Sequence, residues 1–467
     1  ENLDDFRRYV PASGYEHFEP YIERLKKGVG NQLSIDEPFM FATTSGTTAR
    51  PKFVPINESH VRDYTHAFQV HNYHLIKDFP EGAMGKFLII TSNDEEGRTE
   101  SGLPYGAVSG MLNKRQSKVI RRHFSLPFEH CKLKDVDAKY YLLLRTSLVQ
   151  DITALLCCNP SSLLLLADQL KERGESLIAD IRDGRLDKNV LAEVDPHLVR
   201  AFEFLQKPNP KRAKELERLL NQNGRLLPKD VYPRLSVFSC WKGGPMNFYL
   251  SQLPEFFGDK EIRDFGYMAS EGRGTVPISN DGAGGPLAVT SHFFEFVHEE
   301  QVGEINNGAK FLLADELVVG QRYYIFFTTS AGLYRYNIND LMLVEGKLGA
   351  TPVLSFVRKG GGVSSVTAML FVALSIPSHL YELLPITVLI GTIFVMARLA
   401  QSSEFTIMRT SGLGPGRALA MLATLGAGYA ALTFAVGDLV APASERVRTE
   451  LEAQARGGLR VGAAGAW

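Results

Sequence analysis

The chain has almost no excess charge of either sign, few cysteines and, beyond Lys359, no lysine at all. Its 51 basic and 52 acidic side chains leave a net charge of -1. A near-neutral chain offers no electrostatic footprint for a polyanion, so no nucleic acid partner is expected. Four cysteines, Cys131, Cys157, Cys158 and Cys240, occur among 467 residues. They show neither C-x2-C zinc spacing nor the density of a disulfide scaffold, and reduced, buried thiols in a cytosolic domain are the expectation. The opening "ENLDDFRRYVP" has no methionine, no basic n-region and no apolar h-region, which predicts no signal peptide and an N-terminal truncation. Lysine ends where the tail turns rich in Ala, Gly, Leu and Arg. That shift places a domain boundary, or a splice between two sources, at Gly360 to Thr367. The length alone favours two or more domains.

Up to that boundary, short apolar runs alternate with helical patterns. "KFLIITS" (Lys86 to Ser92), "RLSVFSC" (Arg234 to Cys240), "EIRDFGY" (Glu261 to Tyr267) and "HFFEFVHE" (His292 to Glu299) read as strands. "NPSSLLLLADQLKERGESLIADIRDG", starting at Pro160 and Ser161, and "PKRAKELERLLNQNG", stopped by Gly224, read as helices. The fold class is mixed α/β.

The stretch "FATTSGTTARPKFVPI" (Phe41 to Ile56) gathers four threonines, a serine and a glycine. Such residues pack no core, but their hydroxyls and backbone N–H groups suit a phosphate, with Arg50 and Lys52 adding charge. The GK[ST] ending of a Walker A loop is missing, and a plain surface loop is the alternative. Three further stretches are "CWKGGPMNFYLSQLPEFFG", "DFGYMASEGRG" and "GLYRYNINDLMLVEG". The second offers the flat face of Tyr267 and the carboxylate of Glu271 after a strand end, where ligands of open α/β sheets collect. The third offers Asp340, an acid able to grip a ribose diol. Taken singly, Tyr267 reads as a core aromatic, Glu271 as a helix N-terminal charge and Asp340 as a turn former.

In this order, together with "YVPASGYEHFEPYIERLKKG", the stretches resemble the adenylate-forming superfamily. The likeness is greatest to the auxin-responsive-promoter (Gretchen Hagen) family of acyl acid amido synthetases, over about Phe6 to Val366. The resemblance implies that Thr44, Ser45, Gly46, Thr47 and Thr48 hold the β- and γ-phosphates of ATP, with Lys52 beside them. It implies that Tyr267 stacks on adenine, Ser270 faces the phosphate, Glu271 helps hold Mg²⁺ and Asp340 binds the ribose. Gly243 and Gly244 would admit the nucleotide and acyl group, and Arg358 would sit at the hinge before a mobile lid. The implied cofactors are ATP and Mg²⁺. The implied substrates are a carboxylic acid, adenylated with loss of pyrophosphate, and an amino acid that then forms an amide.

That family's lid carries a lysine to the α-phosphate, and here none follows Lys359. Instead, "YELLPITVLIGTIFVMARLA" (Tyr381 to Ala400) and Ala418 to Gly437 are long and apolar enough to span a bilayer, a buried helical hairpin being the alternative. The loop between them is basic and reads as cytoplasmic. The motifs "YELLPITVLIGT", "SSEFTIMRTSGLGPGR" and "DLVAPASER" resemble the permease subunits of the lipopolysaccharide export ABC transporter over Met369 to about Arg448. That likeness implies contact of residues 404–417 with a cytosolic ABC ATPase and a periplasmic segment from 449 on.

The resulting expectation has three parts: an adenylating domain over 1–367, in the cytoplasm and lacking its lid, then an inner-membrane hairpin fragment over 368–448, then the segment 449–467. A cytoplasmic loop between the spans would put the ATP-using domain outside, so the two parts conflict in topology. An impaired ligase is the first reading. A transport component carrying a passenger domain, a non-enzymatic membrane-tethered nucleotide binder and a chimeric chain without integrated function are the alternatives.

Overall fold

The residues flanking the serine- and threonine-rich run form an antiparallel hairpin of β1 (Met40–Thr44) and β2 (Lys52–Ile56) in a computed structural model of the chain. The structure describes residues 2–44, 51–192, 194–305, 307–360, 365–401 and 414–449. Ser45, Gly46, Thr47, Thr48 and Arg50, as well as residues 404–413 and 450–467, lie outside the described residues. The chain divides into two units between Gly360 and Gly361.

In the first unit, β3 (Lys86–Ile90), β4 (Ile152–Cys157), β5 (Val237–Cys240) and β6 (Glu261–Asp264) form a parallel sheet in that order. Parallel strands covered on both faces read as near-continuous apolar runs, as "ITALLC" does here. The helices Val136–Ser147 and Ser161–Asp183 bury Leu142, Leu144, Leu163, Leu166 and Leu170 against Leu88, Leu155 and Phe238. Gly184 (φ 66°) and Gly224 (φ 69°) end the helices Ser161–Asp183 and Pro210–Asn223 in the left-handed region that favours glycine. The last strand stops short of the expected Tyr267. Gly266 turns at φ 83°, where an added Cβ would strike Thr275, and this sets Tyr267 beyond the strand.

A second sheet is antiparallel. It contains β7 (Phe293–His298), β8 (Arg322–Thr328), β9 (Tyr336–Leu348) and β10 (Thr351–Lys359) in that order, with Gly285–Pro286 on the outer edge of β10. Alternation sorts its side chains between two clusters. Tyr323, Ile325 and Phe327 of β8 join Tyr336, Ile338, Met342 and Val344 of β9 on one face. Tyr324 and Phe326 pack with Leu341 and Val297 on the other. The same period puts Asp340 in the apolar row of β9.

One ion pair ties the N-terminus to this sheet. Glu295 on β7 accepts from Arg335 Nε at 2.7 Å and from Arg7 Nε at 2.8 Å, and Arg335 Nη1 donates to Val10 O at 2.8 Å. Glu295 is 1% and Arg335 4% exposed, so neither charge can turn to water when its partner is removed.

The second unit consists of a helix Ser365–Gln401, containing Pro377 and Pro385, and a helix Pro415–Ala435 that continues through a π-turn, Val436–Val440. Within them, Val372–Arg398 and Gly416–Thr449 are long and apolar enough to cross a membrane, and none of their apolar windows is buried. The two apolar helices expected to span a bilayer are present, and the alternative of a buried hairpin is not seen: Leu383, Ile393, Phe394, Leu419 and Met421 are all more than half exposed. The first helix starts sixteen residues before the expected Tyr381 because "VTAMLFVALSIPSHL" is also free of internal breaks that a helix cannot absorb.

Removing one side of a buried ion pair strands the other charge. Glu295→Ala is expected to destabilise the first unit by about 3–5 kcal/mol, whereas joint replacement of Glu295, Arg335 and Arg7 by apolar residues of similar size recovers most of that loss. Thermal melts followed by intrinsic fluorescence test this, and equal melting of wild type and Glu295→Ala would refute it.

Candidate active site

A cavity of about 870 Å³ lies at the carboxyl ends of the parallel strands. Thr91 and Ser92 after β3, Cys157 and Cys158 at the end of β4, Trp241 after β5 and Phe265 after β6 all line it. This is where ligands of open α/β sheets collect, because the strand ends and the loops leaving them form a crevice. Thr44 of β1, Ser270, Glu271, Asp340 and Lys359 line the same cavity. Four of the residues singled out in the sequence, Thr44, Ser270, Glu271 and Asp340, are thus brought together across roughly 300 positions of chain.

The turn carrying Ser270 and Glu271 joins two short paired segments, Met268–Ala269 and Gly272–Arg273. It is held from behind by Arg273, whose Nη2 donates to Phe265 O at 2.7 Å and whose guanidinium lies 4.1 Å from the Phe68 ring centre. Ser270 Oγ donates to Thr43 O at 3.4 Å, which links the turn to β1. Glu271 is 4% exposed and accepts from Tyr336 Oη at 3.2 Å. Burial raises its pKa, an effect that its own backbone N–H and then Lys359 oppose.

Asp340 is 5% exposed. Its Oδ2 accepts from Tyr267 Oη at 2.6 Å, and its Oδ1 lies 3.4 Å from Lys359 Nζ. Burial raises the Asp340 pKa, while Lys359 and the Tyr267 hydroxyl hold it down. Asp340 and Lys359 are register partners on β9 and β10, so the pairing of the strands places the charges together. The end of β10 is fixed by Asn339, left-handed at φ 61°, whose carbonyl accepts from Gly360 N at 2.6 Å and whose Nδ2 donates to Gly360 O at 2.9 Å. A Cβ on Gly360 would collide with Asn339 Oδ1, so glycine is required there by close approach.

The remaining predicted residues lie elsewhere. The Tyr267 ring is 9% exposed and stacks on Phe356 at 5.9 Å and 6°, so one face is covered and its hydroxyl is committed to Asp340. Burial, then Asp340, drives its pKa well up. Lys52 Nζ sits 5.1 Å from the Tyr15 ring centre and does not line the cavity, although it too holds the Asp340 pKa down. Gly243 and Gly244 follow β5 without lining the cavity; Gly244 turns at φ 62° against Phe356. Arg358 pairs with Glu299 at 3.1 Å. Being adjacent to Lys359 in a strand, it points to the opposite face of the sheet.

Three lining or supporting residues were not singled out as site residues in the sequence: Trp241, Tyr336 and Lys359. Lys359 was legible in principle, because alternation in "FVRKG" must put one of Arg358 and Lys359 on the face of Asp340. All four cysteines are free, with Cys131, Cys157 and Cys240 buried. Burial pushes the Cys131 and Cys157 thiols up to about 11.

Comparison with known proteins places this geometry. Residues 1–262 match the GH3 family N-terminal domain and residues 285–359 the GH3 family central domain. Residues 353–461 match the lipopolysaccharide export system permease LptF/LptG. The jasmonoyl-L-amino acid synthetase JAR6 of Nicotiana attenuata is 27% identical over 77% of this chain and 64% of its own length. The jasmonoyl-L-amino acid synthetase GH3.5 of Oryza sativa subsp. japonica is 27% identical over 78% and 66%. The chain thus spans just under two thirds of these relatives. The solved structure of the AtGH3.15 acyl acid amido synthetase in complex with 2,4-DB superposes with a TM-score of 0.69 at 21% identity, covering 80% of this chain and 67% of that one. By both domain matches, which together take in most of the first unit, the chain belongs to the GH3 family.

Proposed function

We propose that the first unit binds ATP with Mg²⁺ and adenylates a carboxylic acid, as the first half of amide formation with an amino acid. The observation that carries this reading is the convergence of Thr44, Ser270, Glu271, Asp340 and Lys359 on one cavity at the strand ends. The relatives named as amido synthetases support it. In the reaction, a carboxylate oxygen of the acid bonds to the α-phosphorus of ATP as the bond to pyrophosphate breaks. The amine then bonds to the acyl carbon as AMP leaves and the amine loses a proton.

This chain's groups divide the work. Asp340 accepts hydrogen bonds from the ribose hydroxyls. Lys359, its register partner at the end of β10, counters the negative charge that accumulates near Glu271 and Asp340. Ser270 and Thr44 direct hydroxyls toward the phosphates, a task that Ser45, Gly46, Thr47 and Thr48 would share, and Tyr267 acts from behind by holding Asp340 through its hydroxyl. Mg²⁺ usually keeps several waters and takes one or two protein carboxylates together with substrate phosphates, a demand that Glu271 meets. Bound there, the metal would neutralise phosphate charge.

Beyond Gly360 the chain presents two apolar helices and no lysine where the resemblance predicts a lid. We therefore read the first unit as a nucleotide binder with weak adenylation. The apolar helices and the permease match favour a second reading, in which residues 372–398 and 416–449 insert into the inner membrane and residues 404–417 meet an ABC ATPase. The first unit would then be a passenger in a chimeric chain.

Asp340→Asn should weaken ATP binding by about 1–3 kcal/mol, since it weakens hydrogen bonds made in the ground state. Calorimetry on the full chain reads this, and wild-type affinity in the variant would sink the ribose assignment. Pyrophosphate exchange should be slow in both proteins, and rapid exchange in the wild type would show that no lid is needed.

The carboxyl pKa values of Glu271 and Asp340 are raised, so their charged forms disappear at higher pH than in free carboxylates as the solution is acidified. Lys359 opposes that rise in both. ATP binding with Mg²⁺ should fall as pH drops into the acid range, and in Lys359→Met the fall should begin at higher pH. Superimposable pH profiles would exclude Lys359 from the site.

For the hairpin, a first unit folded in the cytosol keeps the chain that enters the first span on that side. The loop with Arg398, Arg409 and Arg417 is then forced outward, or the hairpin stays uninserted. Labelling of an Arg409→Cys variant from the cytosolic side, in an inserted chain whose first unit is also cytosolic, would remove this conflict.

A further inference from the structure

The cavity extends well past the proposed nucleotide groups. From the turn bearing Ser270 and Glu271, beyond β6, it crosses the ends of β5 and β4 to Thr91 and Lys139 beside β3. Strands lie 4.7–4.9 Å apart, so the three spacings from β6 to β3 amount to roughly 14 Å. At the strand ends between them the lining includes the apolar or weakly polar side chains of Ile90, Cys157 and Trp241.

Lys139 stands at the far end. It is half-buried on the helix Val136–Ser147, and its Nζ donates to Thr91 O at 2.9 Å. An ammonium group carries three donors, and a carbonyl supplies no counter-charge. Among the described residues no carboxylate forms an ion pair with it. Burial holds the neighbouring Cys131 and Cys157 thiols up at about 11 and takes the His130 imidazole down to about 4, while the carboxylates of Asp94 and Glu129 act on Cys131 from beyond it without pairing with Lys139. Desolvation correspondingly lowers the Lys139 pKa itself. A half-buried cation without a paired anion is costly, and the side of this one left open by Thr91 is the cavity.

We propose that Lys139 is a specificity-determining residue for the acid substrate and that the cavity takes a dicarboxylic acid. One carboxylate faces Ser270 and the nucleotide, an apolar body lies across the strand ends along Ile90, Cys157 and Trp241, and the second carboxylate pairs with Lys139 Nζ. This rests on the adenylation reading for the role of the first carboxylate. Binding of the second carboxylate depends only on the cavity and Lys139.

The test uses the full chain in lipid nanodiscs and calorimetric titration with α,ω-dicarboxylic acids of increasing length and with monocarboxylic acids of matched length, with and without ATP. The expected result is an optimum length at which the diacid binds at least ten-fold more tightly than its monoacid partner. Lys139→Met should abolish that preference while leaving monoacid affinity within two-fold, and Lys139→Arg, which reaches further, should move the optimum to a shorter diacid. No saturable acid binding, an equal affinity for both classes, or a diacid preference that survives in Lys139→Met would each overturn the proposal. If Lys139→Met fails to fold, an unshifted optimum in Lys139→Arg overturns it alone. ATP binding without diacid preference defeats this inference only, and diacid preference without ATP binding defeats the adenylation reading only.

Discussion

Asp340 interrupts an otherwise apolar row on β9, and most of the candidate site follows from how that one buried carboxylate is satisfied. Tyr336, Ile338, Met342 and Val344 on the same face build the core between the sheets. An unpaired charge among them would be expensive, and the structure answers with the Tyr267 hydroxyl and the Lys359 ammonium. Each answer fixes another element. Tyr267 locks the turn leading to Ser270 and Glu271, and Lys359 locks the end of β10, where Asn339 and Gly360 clasp. The polar centre is thereby built on sheet backbone rather than on a free loop, which keeps its geometry narrow.

Glu271 and Asp340 gain from this arrangement in one respect and lose in another. Both are buried and both have raised pKa values; Asp340 adds to the rise in Glu271, and Lys359 opposes the rise in both. A site that holds two strained carboxylates with a single half-exposed cation is poised for more positive charge, such as a metal with phosphates. Such pairing of burial with a shared cation is more frequent at functional sites than in structural ion pairs. The Glu295, Arg335 and Arg7 cluster shows the contrast: there the lone carboxylate is met by two arginines, Arg335 gives further donors to the carbonyls of Arg7 and Val10, and the groups dock the N-terminal helix.

Much of this was legible in the chain. The near-continuous apolar runs of β4 and β5 point to buried strands, and glycine marks the helix ends at Gly184 and Gly224, but β8 carries the same kind of run, "YYIFF", in an antiparallel sheet because both of its faces are covered. Strand limits were less legible, because "EIRDFGY" is apolar enough to continue and only the steric need of Gly266 stops it. In the site, residue type pointed to Glu271 and Asp340, but partners that are far apart in sequence did not announce themselves. Nothing local to "GLYRYNIND" says that Tyr336 will meet Glu271, or that Tyr267 will spend its hydroxyl on Asp340. Lys139 was invisible for the same reason: a lysine at helix position four looks solvated until the fold sets a cavity beside it.

The two family matches overlap at residues 353–359, and the sheet decides to which unit those residues contribute. From Thr351 to Lys359 the strand pairs with β9, apart from local bulges, and with Gly285–Pro286 on its other edge. Leu354 is fully within the first unit's core, and Lys359 is the partner of Asp340. Apolar residues such as Val353, Leu354 and Phe356 would suit a membrane-adjacent sequence equally well by composition, which explains how a permease model can extend into them. Hydrogen bonding cannot be shared in that way: a strand flanked on both edges has its backbone groups committed to the sheet, and the same groups cannot also enter a membrane helix. The strand up to Lys359 therefore belongs to the first unit, in keeping with the division between Gly360 and Gly361.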